Sequence, residues 1–119
     1  MQSYKELEVW QKAIDLVIEV YQITKQFPPE EKYGLVSQLQ RAVTSIPANI
    51  AEGWGRGSTK EYIYHLKVAR GSLMELETHL IVSQRLSYLT LAALKHLQTE
   101  IDRIGRMLNS LINKLELKL

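Results

Sequence analysis

Apolar residues recur in alternating steps of three and four along most of this chain of 119 residues. That spacing places them on one side of an α-helix, so the pattern predicts a largely helical protein. The pattern is clearest near the C-terminus, where a heptad seam predicts a long final helix. The same pattern repeats in the segment before this helix. The final seam comprises Leu94, Leu97, Ile101, Ile104, Leu108, Leu111 and Leu115, and the preceding one comprises Tyr62, Leu66, Ala69, Leu73, Leu76 and Leu80.

Polar residues mark where these two helices begin. Ser58 and Glu61 have the spacing of a capping box, and Thr90 is placed to cap the final helix. Only the short segment "RLSYLT" joins the two helices. Because short links favour antiparallel neighbours, we expect the two helices to pack side by side in opposite directions.

The first helix is predicted from Tyr4 to Gln26, and it carries two apolar seams. A surface helix in a monomeric bundle needs one apolar stripe, so a second stripe predicts a partner, most simply another copy of the protein. The alternative is one unusually wide core face. The core seam is Leu7, Trp10, Ile14, Val17 and Tyr21, and the predicted oligomer face is Val9, Ala13, Leu16, Val20 and Ile23.

The motif "FPPEE" ends the first helix, and the second is predicted from Lys32 to Trp54. Pro47 lies inside it and should kink it, because proline cannot donate the helical hydrogen bond. We therefore predict an all-α protein, an up-down-up-down antiparallel four-helix bundle in a single domain spanning residues 1–119. The core stripe of the second helix is Leu35, Leu39, Val43, Ile46, Ile50 and Trp54.

The glycine-rich stretch "SIPANIAEGWGRGS" does not match a phosphate-binding loop. The Walker motif needs a lysine directly after its last glycine, and the dinucleotide motif needs a different glycine spacing. Instead, Gly57 followed by Ser58 is typical of one helix ending and the next beginning. Gly53 and Gly55 are expected to permit close approach of another backbone.

A polar stripe runs along the second helix, away from its apolar stripe. Serine and asparagine are unusual inside a solvated helix face, so we favour an organised interface, such as a subunit boundary. A ligand groove and a plain solvated face remain as alternatives. The stripe comprises Gln38, Arg41, Ser45, Asn49, Glu52 and Arg56.

Composition and charge narrow the function classes. The chain has no cysteine, which excludes disulfides and cysteine-ligated zinc, and it has no apolar run long enough to span a membrane. We expect a soluble, cytoplasmic protein without a membrane partner. The net charge is only +2, but residues 32–70 hold six Lys or Arg against two Asp or Glu. This middle region is the candidate for binding nucleic acid.

Catalytic chemistry is not evident. His65, His79 and His96 each lie four residues from a glutamate and flank core positions, so we expect structural histidines and no metal site. No serine has a histidine placed to activate it. The sequence therefore predicts no enzyme, no cofactor and no small-molecule substrate. Trp10 and Trp54 lie on core stripes and are expected to pack.

The outer faces of the last two helices carry the best candidates for binding. A tyrosine set among lysines is able to stack a base while the ammonium groups hold phosphates. A solvated face is the alternative, although several copies in a ring would add weak phosphate contacts by avidity. The candidate nucleic-acid contacts are Lys60, Tyr64, Lys67, Arg70, Arg103 and Arg106.

The motif "SQLQRAVTSIPANIAEGWGRGS" resembles the signature of the four-helix-bundle family encoded in intervening sequences of bacterial 23S ribosomal RNA genes. The segments "LEVWQKAIDLV" and "EYIYHLKVARGSLMELETHL" are similar to that family too. The family includes the accessory variability protein of diversity-generating retroelements. The resemblance implies a homopentameric ring without enzyme activity and, for the retroelement members, binding to nucleic acid and to a reverse transcriptase.

Taken together, these patterns predict a non-catalytic homo-oligomer that binds structured RNA, DNA or a nucleic-acid–protein complex through a basic outer face. The alternative is a protein-only adaptor that recruits a partner such as a reverse transcriptase. Salt discriminates between them, because phosphate contacts weaken steeply with ionic strength and apolar protein contacts do not.

Overall fold

The computed structural model describes residues 2–119 and contains four α-helices, as predicted. They are α1 (Glu8–Thr24), α2 (Leu35–Gly55), α3 (Thr59–Arg85) and α4 (Leu91–Glu116). Two short 3-10 turns, Tyr4–Glu6 and Pro29–Glu31, precede α1 and α2. No strand occurs within residues 2–119. The first helix is shorter than expected, because its predicted first turn is a separate 3-10 turn and it ends before the Phe27–Pro28 segment.

The helices form an antiparallel bundle in which each packs against its two neighbours in the ring order α1, α2, α3, α4. Side-chain pairs show the opposite directions of α3 and α4: Glu77 meets Gln98 near one end, and Lys67 meets Glu116 near the other. The α2–α3 interface is the most extensive, and the α1–α4 interface is the least. The up-down-up-down topology follows from this order.

The core is aliphatic and uses the seams predicted for the last three helices. Leu39, Ile46, Leu66, Ile104 and Leu108 are fully buried. Burial of this kind stabilises a fold by about 1.5–3 kcal/mol for each large aliphatic side chain, before the entropy of ordering is subtracted. Four seam residues are only half-buried: Leu35, Trp54, Tyr62 and Leu111.

The face predicted for oligomerisation on α1 is wrong, because it is the helix's core face. Val9, Ala13, Leu16 and Val20 are buried inside the chain's own bundle, and only Ile23 is half-buried. Of the seam assigned to the core, Leu7, Trp10, Ile14 and Val17 are half-buried, and Tyr21 is exposed. The wide apolar arc of α1 is therefore centred on Ala13, with the other seam at its edge.

The edge of that arc holds an aromatic cluster. The Tyr4 ring packs edge-on against Trp10, with centroids 5.5 Å apart, and against Trp54 at 6.1 Å. This cluster ties the N-terminal 3-10 turn to the end of α2 and explains why Trp10 turns partly away from the main core. Both tryptophans pack, as expected.

The predicted turn chemistry between helices is largely confirmed. The Ser58 hydroxyl accepts a hydrogen bond from the Glu61 amide at 3.3 Å, and the Thr90 hydroxyl accepts one from the Ala93 amide at 3.1 Å. Gly57 has φ +78°, the left-handed conformation that ends a helix. The helix α2 runs through the buried Pro47 without a break, and the kink there stays a prediction.

None of the four helices combines the length and hydropathy that crossing a bilayer requires, within the part of the chain that the structure describes.

Candidate nucleic-acid interface

The polar stripe of α2 forms a hydrogen-bonded seam against α3 of the same chain. Asn49 Nδ2 donates to the Ser45 hydroxyl at 3.0 Å, and the Ser45 and Ser72 hydroxyls are joined by a hydrogen bond of 3.0 Å. His65 Nδ1 lies 3.0 Å from Asn49 Oδ1. We call Ser45, Asn49, His65 and Ser72 the polar seam. The interface predicted at these positions is real, but it joins two helices of one chain.

An exposed ion pair flanks the polar seam. Arg56 Nη2 donates to Glu52 Oε2 at 2.6 Å, and this hydrogen bond lowers the pKa of Glu52 and raises that of Arg56. Glu52 Oε2 also lies 4.0 Å from His65 Nε2. Since an exposed pair contributes little to stability, its main effect is to orient charge at the edge of the polar seam.

Gly53 allows the two helices to come close beside the polar seam. A Cβ atom added there would lie 2.8 Å from His65 Cβ and 3.2 Å from the Tyr62 carbonyl oxygen. The close approach expected at Gly53 is therefore confirmed. At Gly55 a Cβ would meet nothing within 4 Å, so the same expectation was wrong there.

The remaining stripe residues do not join this network. Gln38 is half-buried and Arg41 is exposed, and neither side chain makes a hydrogen bond or ion pair with any residue in 2–119. The stripe residues of α2 thus fall into three groups. Two belong to the polar seam, Glu52 and Arg56 form an ion pair, and Gln38 and Arg41 are free polar side chains near the start of α2.

On α3, the predicted binding residues lie one turn apart on an exposed face. Tyr64 is 64% exposed, and its ring packs edge-on against His65 at 5.2 Å. Lys60 is exposed and has no ion-pair partner among the described residues. Lys67 Nζ lies 3.5 Å from Glu116 Oε2 near the end of α4. Two ammonium groups thus flank a solvent-facing ring.

Two of the three predicted arginines, Arg70 and Arg106, extend this surface toward α4. Arg70 Nη1 donates to Asn109 Oδ1 at 2.8 Å, and Arg70, Arg106 and Asn109 line one groove between the two helices. Glu77 and Asp102 line the groove as well, so its charge is mixed. Arg103 makes no hydrogen bond or ion pair with these residues. Its Nη1 instead lies 3.4 Å from Glu100 Oε2 on the same helix.

The three histidines each have a carboxylate nearby, but only one has the glutamate that the spacing indicated. His79 Nε2 lies 3.6 Å from Glu75 Oε2. His96 Nε2 donates to Glu19 of α1 at 3.0 Å, and this bond and charge raise the pKa of His96. Residues 2–119 contain no group of three or more His, Cys, Asp or Glu side chains that is arranged to hold a metal ion.

Sequence reasoning missed the partners that come from other helices. The predicted residues Ser45, Arg70 and Lys67 contact Ser72, Asn109 and Glu116, respectively. Helical spacing does not indicate which residues of another helix will be in contact. Sequence reasoning also missed Lys25 and Tyr33, which the structure brings to one groove between α1 and α2. The clustering of "KYG" after "FPPEE" was the available signal, since it sets a lysine and a tyrosine at a turn.

The fold and this surface define a class: small all-α bundles whose helices pack through an aliphatic core, with a basic and aromatic outer face. Within that class, residues 5–110 match the family model described as 23S rRNA-intervening sequence protein. The chain belongs to this family, as the resemblance implied.

A solved structure has the same fold. It is a protein of unknown function from the S23 ribosomal protein family of Bacteroides thetaiotaomicron VPI-5482, with 26% sequence identity and a TM-score of 0.82. The match covers 88% of this chain and 95% of that one. Among curated proteins, none matches the chain significantly.

Proposed function

We propose that this protein is a non-catalytic, cytoplasmic homo-oligomer that binds structured RNA through the outer face of α3 and the neighbouring groove of α4. The observation that carries the proposal is the exposed row Lys60, Tyr64 and Lys67, whose members lie one helical turn apart. Phosphates of a folded RNA lie along its surface, so a row of cations on a rigid helix suits recognition of shape and backbone.

The groove beside this row adds two guanidinium groups. Arg106 makes no hydrogen bond or ion pair within the described chain, and Arg70 is held by a neutral amide, so neither is paired with a carboxylate. Arginine binds phosphate in a bidentate manner, which favours it at such a surface. Arg103 contributes less to binding in this proposal, since Glu100 partly neutralises it.

Oligomerisation is part of the proposal, with the pentamer that the family resemblance implies. Its support is the outward side of α1, where Ile18 is 55% exposed and Ile14, one turn before it, is half-buried. Apolar side chains next to each other on a helix surface are commonly covered by a partner. A ring would repeat the basic face around its circumference, and repeated weak contacts strengthen binding through avidity.

The test is titration of an RNA stem-loop between about 50 mM and 200 mM salt. The variant is Lys60→Glu/Lys67→Glu, and the matched control reverses two lysines of the N-terminal region, Lys5→Glu/Lys12→Glu. We expect wild type and control to bind with the same steep salt dependence. The Lys60/Lys67 variant should bind at least about tenfold more weakly, with a salt slope lower by roughly 1.8.

A failure of wild-type protein to bind at low salt would refute the proposal. The second candidate function, a protein adaptor for a partner such as a reverse transcriptase, would then lead. Its specific support is the exposure of Met74 and Ile18, at 63% and 55%, because exposed apolar side chains suit a protein partner. Salt-insensitive binding to a protein would favour that candidate.

A further inference from the structure

A second groove with cationic and aromatic walls lies between the end of α1 and the start of α2. Its lining includes the polar and aromatic residues Tyr21, Lys25, Lys32, Tyr33, Ser37 and Gln40. The groove has a volume of about 490 Å³, which is within the range of ligand sites. It is remote from the basic row on α3, because α2 separates them by its length of roughly 30 Å.

The charge of this groove is positive. Lys25 and Lys32 line it, and no carboxylate does. The nearby Glu31 is engaged elsewhere: its Oε1 accepts a hydrogen bond from the Leu35 amide at 3.1 Å, and its Oε2 accepts one from the Tyr88 hydroxyl at 3.0 Å. The two ammonium groups are thus left for an anionic ligand.

The Tyr33 ring forms an aromatic wall of the groove beside those charges. Tyr33 is 86% exposed, and Lys32 Nζ lies 5.5 Å from the centre of its ring. The turn that carries both residues is ordered by backbone hydrogen bonds, from Lys32 to Pro29 at 3.1 Å and from Gly34 to Glu31 at 3.0 Å. A phosphate bound by Lys32 would therefore lie beside a ring with an open face.

We propose that this groove binds an unpaired stretch of nucleic acid, with Lys25 and Lys32 on its phosphates and a base stacked on Tyr33. Bases within a duplex are already stacked and paired, so an exposed ring selects single-stranded segments. Ser37 and Gln40 supply hydrogen bonds to the sugar or base edge. This inference rests on the proposed function for the chemical class of partner, and it adds a separate site for unpaired nucleotides.

The test compares a fluorescent oligouridylate of about eight nucleotides with a blunt RNA duplex, both measured by anisotropy. We expect Tyr33→Ala to weaken oligouridylate binding about tenfold and Tyr33→Phe to preserve it, because stacking needs the ring and not the hydroxyl. Lys25→Ala/Lys32→Ala should lower the salt slope by roughly 1.4. The matched control Lys5→Ala/Lys12→Ala removes the same charge outside both surfaces and should leave oligouridylate binding unchanged.

Three results would overturn this inference. The first is a wild type that does not bind oligouridylate at low salt, and the second is groove variants that bind it as wild type does. The third is a lower oligomeric mass for Tyr33→Ala, which would place a second copy of the chain in the groove. The two proposals fail separately. A wild-type protein that binds oligouridylate but not the duplex refutes the basic row on α3, and one that binds the duplex but not oligouridylate refutes this groove.

Discussion

Asn49 and His65 satisfy each other's polar atoms across the α2–α3 interface, with Oδ1 and Nδ1 3.0 Å apart. Because Asn49 Nδ2 donates to Ser45, its Oδ1 is the acceptor, so His65 Nδ1 must carry the proton. Nε2 of the same ring lies 4.0 Å from Glu52 Oε2. One amide thus orients the imidazole ring and connects it to the two serines of the polar seam.

Replacing Asn49 by alanine should destabilise the protein by about 1–3 kcal/mol, because the half-buried His65 Nδ1–H group would lose its acceptor. Urea unfolding measures this free energy. The control is Asn113→Ala, since Asn113 is exposed on α4. Equal stability of the two variants would contradict a structural role for the polar seam.

Gly53→Ala should also destabilise the fold, by about 1–3 kcal/mol, because the added methyl group meets the Tyr62 backbone and His65 Cβ. The matched change is Gly71→Ala in the middle of α3, where a Cβ would meet nothing within 4 Å. That variant should be more stable than wild type by roughly 0.5–1 kcal/mol, since alanine favours helix. Thermal or urea unfolding of both variants separates close packing from helix propensity. A gain in stability at both positions would rule out the close approach.

The pairing of His96 with Glu19 should make stability depend on pH. The hydrogen bond and charge of Glu19 raise the pKa of His96 in the folded state above its unfolded value of about 6.5. Protonated His96 therefore stabilises the fold fully below about pH 6.5, and that contribution is lost as pH rises through the folded pKa.

The measurement is the difference in unfolding free energy between wild type and His96→Gln at about pH 5.5 and about pH 8.5. We expect a small advantage for wild type at the lower pH only, because the pair is exposed. In a Glu19→Gln background the His96 substitution should have no pH-dependent effect. A pH dependence that persists in that background would assign it to another group.

Glu116 restrains one lysine of the proposed RNA-binding row, so removing its charge should strengthen binding. In Glu116→Gln, Lys67 loses its ion pair and a nearby negative charge disappears. We expect RNA stem-loop affinity to rise by about 2- to 5-fold, which corresponds to an exposed ion pair of about 0.4–1 kcal/mol. The control Glu8→Gln changes net charge equally on α1. An equal gain in both variants would reflect net charge alone.

Much of the fold could be predicted from periodicity, because steps of three and four directly encode a helix face. The prediction was wrong on α1, where two adjacent seams make one broad arc and spacing alone does not locate its centre. Ala13 lies at that centre and is completely buried, although neither its type nor its spacing sets it apart in the sequence. Only the packed bundle shows which side is covered.

The candidate site was less predictable for a different reason. Lys60, Tyr64 and Lys67 follow from helix geometry within one element, and their exposure was expected. Which cations are free depends on contacts between helices, such as Lys67 with Glu116, whose residues lie far apart in the chain. The groove at Tyr33 is likewise made by α1 and α2 together, so neither segment alone indicates it.

The unequal packing among the four helices has a consequence for local unfolding. The α2–α3 hairpin holds the largest interface and the polar seam, whereas α1 meets α4 over a small area with His96 and Glu19 at its margin. Local opening follows the weakest interface, so α1 and α4 should part first while the hairpin keeps its backbone amides protected from exchange with solvent. Such an excursion would bare aliphatic side chains of both helices, among them Leu16 and Leu97, and the chain's exposure to aggregation and proteolysis would begin along this interface.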